Sequence, residues 1–214
     1  MCANYTPVTR RERLEQYFAA GNPAPYPEET WPGYAAPFVR RARHEPGYAR
    51  ELCTGLFGLV PYWAKDLSIG RRTYNARSET AAEKPSFKDA WRYGRRCIVA
   101  AEAFFEPNWE SGKAVRWRIR RVDGKPMGIA GLWGSWRSPE GRELVSFTML
   151  TVNATGHEVM QRFHKPQDEK RMVVILDESR YDEWLEAPAS RTEAFMNRFP
   201  AEELVAEPAP VIAP

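Results

Sequence analysis

Cysteine at position 2 carries the most distinctive chemistry in this sequence. A small residue after an initiator Met normally lets Met1 be removed. The new N-terminus then holds an α-amine and a thiol on adjacent carbons. An α-amine ordinarily titrates at about pH 8, so a useful fraction is neutral and nucleophilic near neutrality. A 1,2-aminothiol meets an aldehyde in two steps: the amine forms a Schiff base, and the sulfur closes on it to give a five-membered thiazolidine. Cys and amine nucleophiles are general in covalent catalysis; the ring needs both on one residue. A cysteine at position 2 is by itself more often incidental, so the surrounding residues decide its meaning.

The other candidates for chemistry are sparse. Cys2, Cys53 and Cys97 are odd in number and scattered, with no CxxC, which is not a disulfide framework. The histidines are His44, His157 and His164. The last two stand seven apart, which is no metal-binding spacing, and no metal or cofactor is expected. Of 31 basic residues seven are Lys and the rest Arg, whose planar fork of donors fits phosphate oxygens. The net charge of +3 is too small to establish nucleic-acid binding. Between Val115 and Arg120, however, Val115, Trp117 and Ile119 alternate with Arg116, Arg118 and Arg120. That pattern fits a solvated strand face or a basic surface tracking a phosphate backbone.

The elements that must position these residues can be outlined. A chain of 214 residues, 43% hydrophobic and rich in Trp, Tyr and Phe, supports a real core. No apolar run is long enough to span a bilayer and no leader pattern opens the chain, so a soluble cytoplasmic protein is expected. Thr9 and Glu12 form a capping-box pattern before Leu14, Tyr17 and Phe18, with Gly21 as the helix stop. Residues 21–37 read as loop and 56–60 as a short buried strand. Ser86 and Asp89 cap a helix carrying Phe87 and Trp91. Strands are expected at 97–105, 115–120, 127–133, 145–152 and 172–176, with turns at Asp123-Gly124 and Pro139-Glu140-Gly141. Thr155 and Glu158 open a short helix toward His164, and further helices are expected at 181–186 and 191–197, the second behind a Ser190/Glu193 pair. Strands clustered in the middle with helices at the flanks argue for an α+β domain over 1–200, of curved, mostly antiparallel sheets flanked by short helices. Residues 201–214, rich in Pro and Ala, read as a loosely attached tail.

One stretch supplies the context for Cys2. It runs Asn75-Ala76-Arg77-Ser78-Glu79-Thr80, then Phe87, Trp91, Arg95-Arg96-Cys97-Ile98 and Phe104-Phe105-Glu106. With Met1-Cys2, and with Gly58, Pro61, Trp63, Gly131-Leu132-Trp133, His164 and Arg171-Met172, it resembles the SOS response-associated peptidase (SRAP) family, the abasic-site shielding proteins. The resemblance covers roughly residues 1 to 186. It implies a single domain with a central DNA groove and an active site of Cys2, Asn75, Glu106 and His164. Cys2 is then the nucleophile. Asn75 both donates and accepts hydrogen bonds, so it can hold the α-amine without charging it. Glu106 ends an apolar strand beside Phe104 and Phe105, a partly desolvated setting in which a carboxyl group can carry protons. His164 can protonate the ring oxygen of the closed sugar or contact a phosphate. Arg77 is the best candidate for a phosphate clamp, Arg116 and Arg118 are further DNA contacts, and Trp63 can stack on a flanking base.

The sequence also departs from the family pattern. Ala3-Asn4 stand where the family has Gly-Arg, Pro107-Asn108 follow Glu106 where Trp is usual, and Phe57 replaces a Trp before Gly58. Lys165 to Lys170 intervene between His164 and Arg171-Met172, where a single residue is common. The implied function is covalent, thiazolidine-forming capture of abasic sites in single-stranded DNA by a monomeric, nucleoid-associated protein with autopeptidase and lyase-like activity. Three rivals stay open from sequence: an N-terminal nucleophile amidohydrolase, a peptidase, and a non-enzymatic single-strand binder.

Overall fold

The computed structural model describes residues 2–21, 24–42 and 49–209; Met1 and His44 lie outside them. Among the described residues eleven strands form one sheet system: β1 Asn4–Pro7, β2 Ala35–Arg41, β3 Arg50–Phe57, β4 Asn75–Arg77, β5 Arg96–Asn108, β6 Val115–Arg121, β7 Met127–Arg137, β8 Glu143–Asn153, β9 Arg171–Val173, β10 Ile175–Leu176 and β11 Leu204–Pro208. Four short helices accompany them there: α1 Arg11–Phe18, α2 Ser78–Ala81, α3 Lys88–Arg92 and α4 Tyr181–Glu186. Neighbouring strands run β7, β8, β3, β2, β5, and β5 returns to β7, so these five close on themselves as a barrel. Pairing is antiparallel except where β8 meets β3 and β4. The α+β, mostly antiparallel expectation holds.

Strand β5 organises the site. Its first half, Arg96 to Ala101, pairs with β7 inside the barrel. Its second half, Phe104 to Asn108, pairs with β6 on one side, while Ala101 and Ala103–Phe105 pair with β1 on the other. Glu106 therefore sits on the part of β5 that extends past the barrel, opposite Trp117 of β6 and one residue beyond the last pair with β1. The core behind it is aromatic: Phe57 stacks on Phe147 at 5.5 Å and meets Tyr5 edge-on at 5.3 Å. Burying side chains of this size contributes roughly 1.5–3 kcal/mol each. Gly58 is required for geometry, since at φ +123 a Cβ there would lie 2.2 Å from the Gly70 carbonyl oxygen.

Several local expectations are corrected. Helix α1 starts after Arg10, with no side-chain cap from Thr9, and ends on Ala19 in the left-handed region rather than on Gly21. Strand β2 begins inside the expected loop, at Ala35, and β3 ends at Phe57 rather than spanning 56–60. Helix α3 begins after Phe87 with no side-chain cap from Ser86. The helix expected before His164 is one 3₁₀ turn, Met160–Arg162, and that at 191–197 is a 3₁₀ segment, Ala189–Phe195. The strand at 172–176 is two strands, because Val174 crosses from β8 to β7: its N–H donates to the Leu150 carbonyl and its own carbonyl accepts from Ala130. Residues 201–208 are not a loose tail. Leu204 is buried and β11 pairs with β6 over five residues. Residues 210–214 lie outside those described.

Candidate active site

Cys2 precedes β1 and is buried, with 1% of its surface exposed. Its thiol donates to the Asn4 carbonyl at 3.5 Å. Burial pushes the thiol well above its ordinary range, and the nearby Glu106 carboxylate adds to that shift. Asn75 opens β4, opposite Met149 of β8. Its Nδ2 donates to the Cys2 carbonyl at 3.0 Å and to the Tyr74 carbonyl at 2.8 Å. Its Oδ1 is buried and accepts no hydrogen bond from the described residues.

Glu106 and His164 complete the group. Both are buried, and His164 Nε2 lies 3.3 Å from Glu106 Oε2. His164 takes a left-handed backbone, φ 63, and its N–H donates to the Pro107 carbonyl at 3.1 Å. A non-glycine residue held there costs of order 1–3 kcal/mol, which its surroundings must offset, and such strain clusters at functional sites. The next bridge, Asn108 to Phe163, ties this turn to the end of β5. His157 has a different role: its Nε2 faces the Phe199 carbonyl at 2.8 Å and its Nδ1 accepts from Met160 N–H at 3.1 Å, so both ring nitrogens are used in structure.

The four residues implied by the resemblance are thus brought together, whereas the expected DNA contacts are spread around them. Beside Glu106 opens a cleft of about 270 Å³ lined by Ala3, Asn4, Trp31, Phe105, Glu106 and Arg116. Arg116 lies over the Phe105 ring at 3.4 Å and donates to Asn4 Oδ1 at 2.7 Å and Glu29 at 2.7 Å. Arg118 and Arg120 both pair with Glu207 of β11, at 3.5 and 3.3 Å. The alternating face of β6 is therefore basic but partly neutralised by the strand that covers its edge. Arg77 is half exposed and pairs with Glu169 at 2.6 Å. Trp63 is exposed, with its indole N–H toward the Pro85 carbonyl at 3.4 Å.

Sequence reasoning missed residues that hold this arrangement. Buried Arg171 makes a two-pronged pair with Glu79, 2.8 Å at each prong, and also donates to Thr151. Glu79 and Arg171 both stand in the motifs that carry the resemblance, but their partnership is invisible until β4 and β9 are seen on opposite flanks of β8. Trp31 and Glu29 lie in a stretch with no periodic signal. Among the described residues no group of three His, Cys, Asp or Glu side chains is gathered as a metal site, and no helix is long and apolar enough to cross a membrane.

Comparison with known proteins identifies the family. The model of the SOS response associated peptidase family matches residues 1–211. The chain belongs to the SRAP family. The abasic site processing protein YoqW of Bacillus subtilis is 37% identical over 130 residues, 60% of this chain and 54% of the relative. The abasic site processing protein HMCES of Gallus gallus is 29% identical over 180 residues, 71% of this chain and 50% of the relative. The SRAP chain described here thus spans about half the length of these curated relatives. A crystal structure of a Bordetella bronchiseptica protein superposes with a TM-score of 0.92 at 41% identity, covering 98% of this chain and 100% of the other. A Bacteroides thetaiotaomicron structure shares the fold, with a TM-score of 0.81 at 19% identity over 96% of this chain and 90% of that one.

Proposed function

We propose that this SRAP protein captures abasic sites in single-stranded DNA by forming a thiazolidine with Cys2 once Met1 has been removed. The observation that carries the reading is the convergence of Cys2, Asn75, Glu106 and His164 in one buried site that opens on a cleft. Asn75 holds the Cys2 carbonyl with its donor and keeps an acceptor on the same carboxamide, which suits a newly exposed α-amine. The ring-opened sugar presents an aldehyde. The amine adds to it and one water leaves, giving an imine. The thiol then adds across the C=N bond, sulfur to carbon and proton to nitrogen. Glu106 and His164 move the protons of ring opening and dehydration. The raised thiol of Cys2 supports this order, because it disfavours the thiolate that a first attack by sulfur would need.

Burial of Cys2 also accounts for a preference for single strands: the sugar must be splayed out to reach it. Arg77, Arg116 and Arg118 meet phosphate oxygens and Trp63 stacks on a flanking base. DNA then takes the place of Glu169, Glu29 and Glu207 on the three arginines. Removal of Met1 is the minimal peptidase activity of such a protein.

The test is incubation of the purified protein with a labelled abasic oligonucleotide, followed by a denaturing gel and intact mass. A heat-stable species of the summed mass less one water supports the reading. An amidohydrolase or a simple single-strand binder gives no such species. Retention of Met1 in an otherwise active protein would also overturn it.

A further inference from the structure

Six residues, 165–170, separate His164 from the strand that begins at Arg171. The last of them reaches back. The Lys170 ammonium donates to three consecutive carbonyls, those of Phe163 at 2.9 Å, His164 at 3.2 Å and Lys165 at 2.9 Å. An ammonium has three N–H donors and no acceptor, so these contacts use all of them. Three successive carbonyls converge on one point only if the chain wraps around it, and the residue at the centre of the wrap is His164 at φ 63. Residues other than glycine take that conformation uncommonly, although His, like Asn and Asp, visits it more often than most. Without a cation, the three carbonyl dipoles would face one another unopposed.

The backbone of His164 is thereby gripped at both ends. Its N–H is held by the Pro107 carbonyl, one residue past Glu106, and its carbonyl by Lys170. Lys170 is in turn fixed to the sheet, since its own carbonyl accepts from Ala154 N–H at 2.7 Å. Its neighbour Glu169 is anchored to Asn153, Arg77 and Arg171. A chain of contacts thus runs from the end of β8 through Lys170 to the His164 turn that carries the imidazole.

We infer that Lys170 is a positioning residue for His164, setting the imidazole against Glu106 by clamping the carbonyls of residues 163–165. The inference deepens the crosslinking reading above and rests on it for its kinetic consequence. It also gives the segment 165–170 a role, which is to deliver the cation that makes the left-handed His164 turn stable.

The test compares Lys170→Met, Lys170→Arg, His164→Ala and the double variant His164→Ala/Lys170→Met in the mature full chain. Adduct formation with an abasic oligonucleotide and the ¹H–¹⁵N signals of the histidine rings are both measured. Lys170→Met is expected to slow adduct formation by about tenfold, a fraction of what a general acid–base group supplies. Lys170→Arg, which keeps a multidentate cation, recovers most of the rate. The double variant is no slower than His164→Ala, because Lys170 has nothing to position once the imidazole is gone. In the spectra the His164 ring signals move in Lys170→Met and return in Lys170→Arg, while those of His157 stay in place. Unmoved His164 signals in Lys170→Met, or additive losses in the double variant, overturn the inference. If the wild type forms no adduct, the crosslinking reading fails, and the ring signals still decide the role of Lys170. If Lys170→Met does not fold, Lys170→Gln takes its place: its amide can serve at most two of the three carbonyls, so its His164 ring signals move and its rate falls, each by less than expected for Lys170→Met, and unmoved signals overturn the inference.

Discussion

His164 Nε2 and Glu106 Oε2 lie 3.3 Å apart, both side chains buried, one on a left-handed turn and the other at the end of the strand that leaves the barrel. A histidine and a carboxylate in this relation can pass a proton between them without bulk water, which suits the proposed reaction, one that opens a sugar and expels water. Glu106→Gln keeps the shape of the side chain and removes its ability to take a proton. It is expected to slow formation and reversal of the adduct by about 100-fold, the lower end of what general acid–base groups contribute. Binding to intact single strands should change little. Single-turnover rates and a binding titration check this; equal losses in both would make Glu106 a structural residue.

Arg77 and Glu169 give the second expectation. Their ion pair is solvent-accessible and worth little to stability, at most about 1 kcal/mol. Its interest is that Glu169 occupies a guanidinium the proposal assigns to phosphate. Arg77→Ala should weaken single-strand binding and reduce the slope of log affinity against log salt by about 0.7, one counterion on a single strand. Glu169→Gln should do the opposite to affinity, because phosphate no longer competes with a carboxylate. Titrations at several salt concentrations measure both. If neither variant alters the slope or the affinity, Arg77 makes no phosphate contact.

How far the sequence foretold this picture depends on the range of the interaction. The central strands were legible because alternation and turn residues are local: the glycines at 124 and 141 do take positive φ at the two expected turns. The ends of α1 were not, since Ala19 rather than Gly21 adopts the left-handed conformation that stops it. The β11 strand escaped notice for a related reason. Leu204–Pro208 looks like a tail by composition, and only the exposed edge of β6 gives its backbone donors and acceptors somewhere to go. For the site, the resemblance supplied Cys2, Asn75, Glu106 and His164, while their supports stayed hidden. Lys170 bonds to backbone carbonyls, which carry no side-chain signature, and the Glu79–Arg171 pair joins residues 92 apart.

The buried thiols set the sign of a pH effect on stability. Burial pushes both Cys2 and Cys97 upward, Cys97 to well above its ordinary range. A thiol in the unfolded chain ionises at about pH 8.5. Below that pH both states keep the proton and the contribution of the thiols to stability is fully present. Above it the unfolded chain releases protons that the folded chain retains, so stability falls as pH rises, by up to about 1.4 kcal/mol per pH unit for each thiol. Urea midpoints at neutral pH and at pH near 10 should therefore diverge less in Cys97→Ala than in the wild type, once the loss at neutral pH is subtracted. An alkaline loss identical in the two proteins would mean that Cys97 ionises as readily folded as unfolded.

The final expectation separates the two nucleophiles of Cys2. In the proposed reaction the α-amine attacks first and the sulfur locks the product, an order that fits a thiol raised by burial and by Glu106 and an Asn75 that grips the Cys2 main chain. Cys2→Ala keeps the amine and removes the thiol. It should form only an imine, trapped by borohydride and lost on heating without it. A protein that keeps Met1, or carries any residue before Cys2, has the thiol but an amide in place of the amine. An amide nitrogen is delocalised into its carbonyl and is a poor nucleophile. Such a protein should give neither a heat-stable nor a trappable adduct, yet should still bind single strands. The wild type should give a heat-stable adduct with no reductant present. Denaturing gels with and without borohydride distinguish the three proteins. Crosslinking of the blocked protein at the wild-type rate would show that the thiol alone or a lysine is the nucleophile, and the thiazolidine route would have to be abandoned.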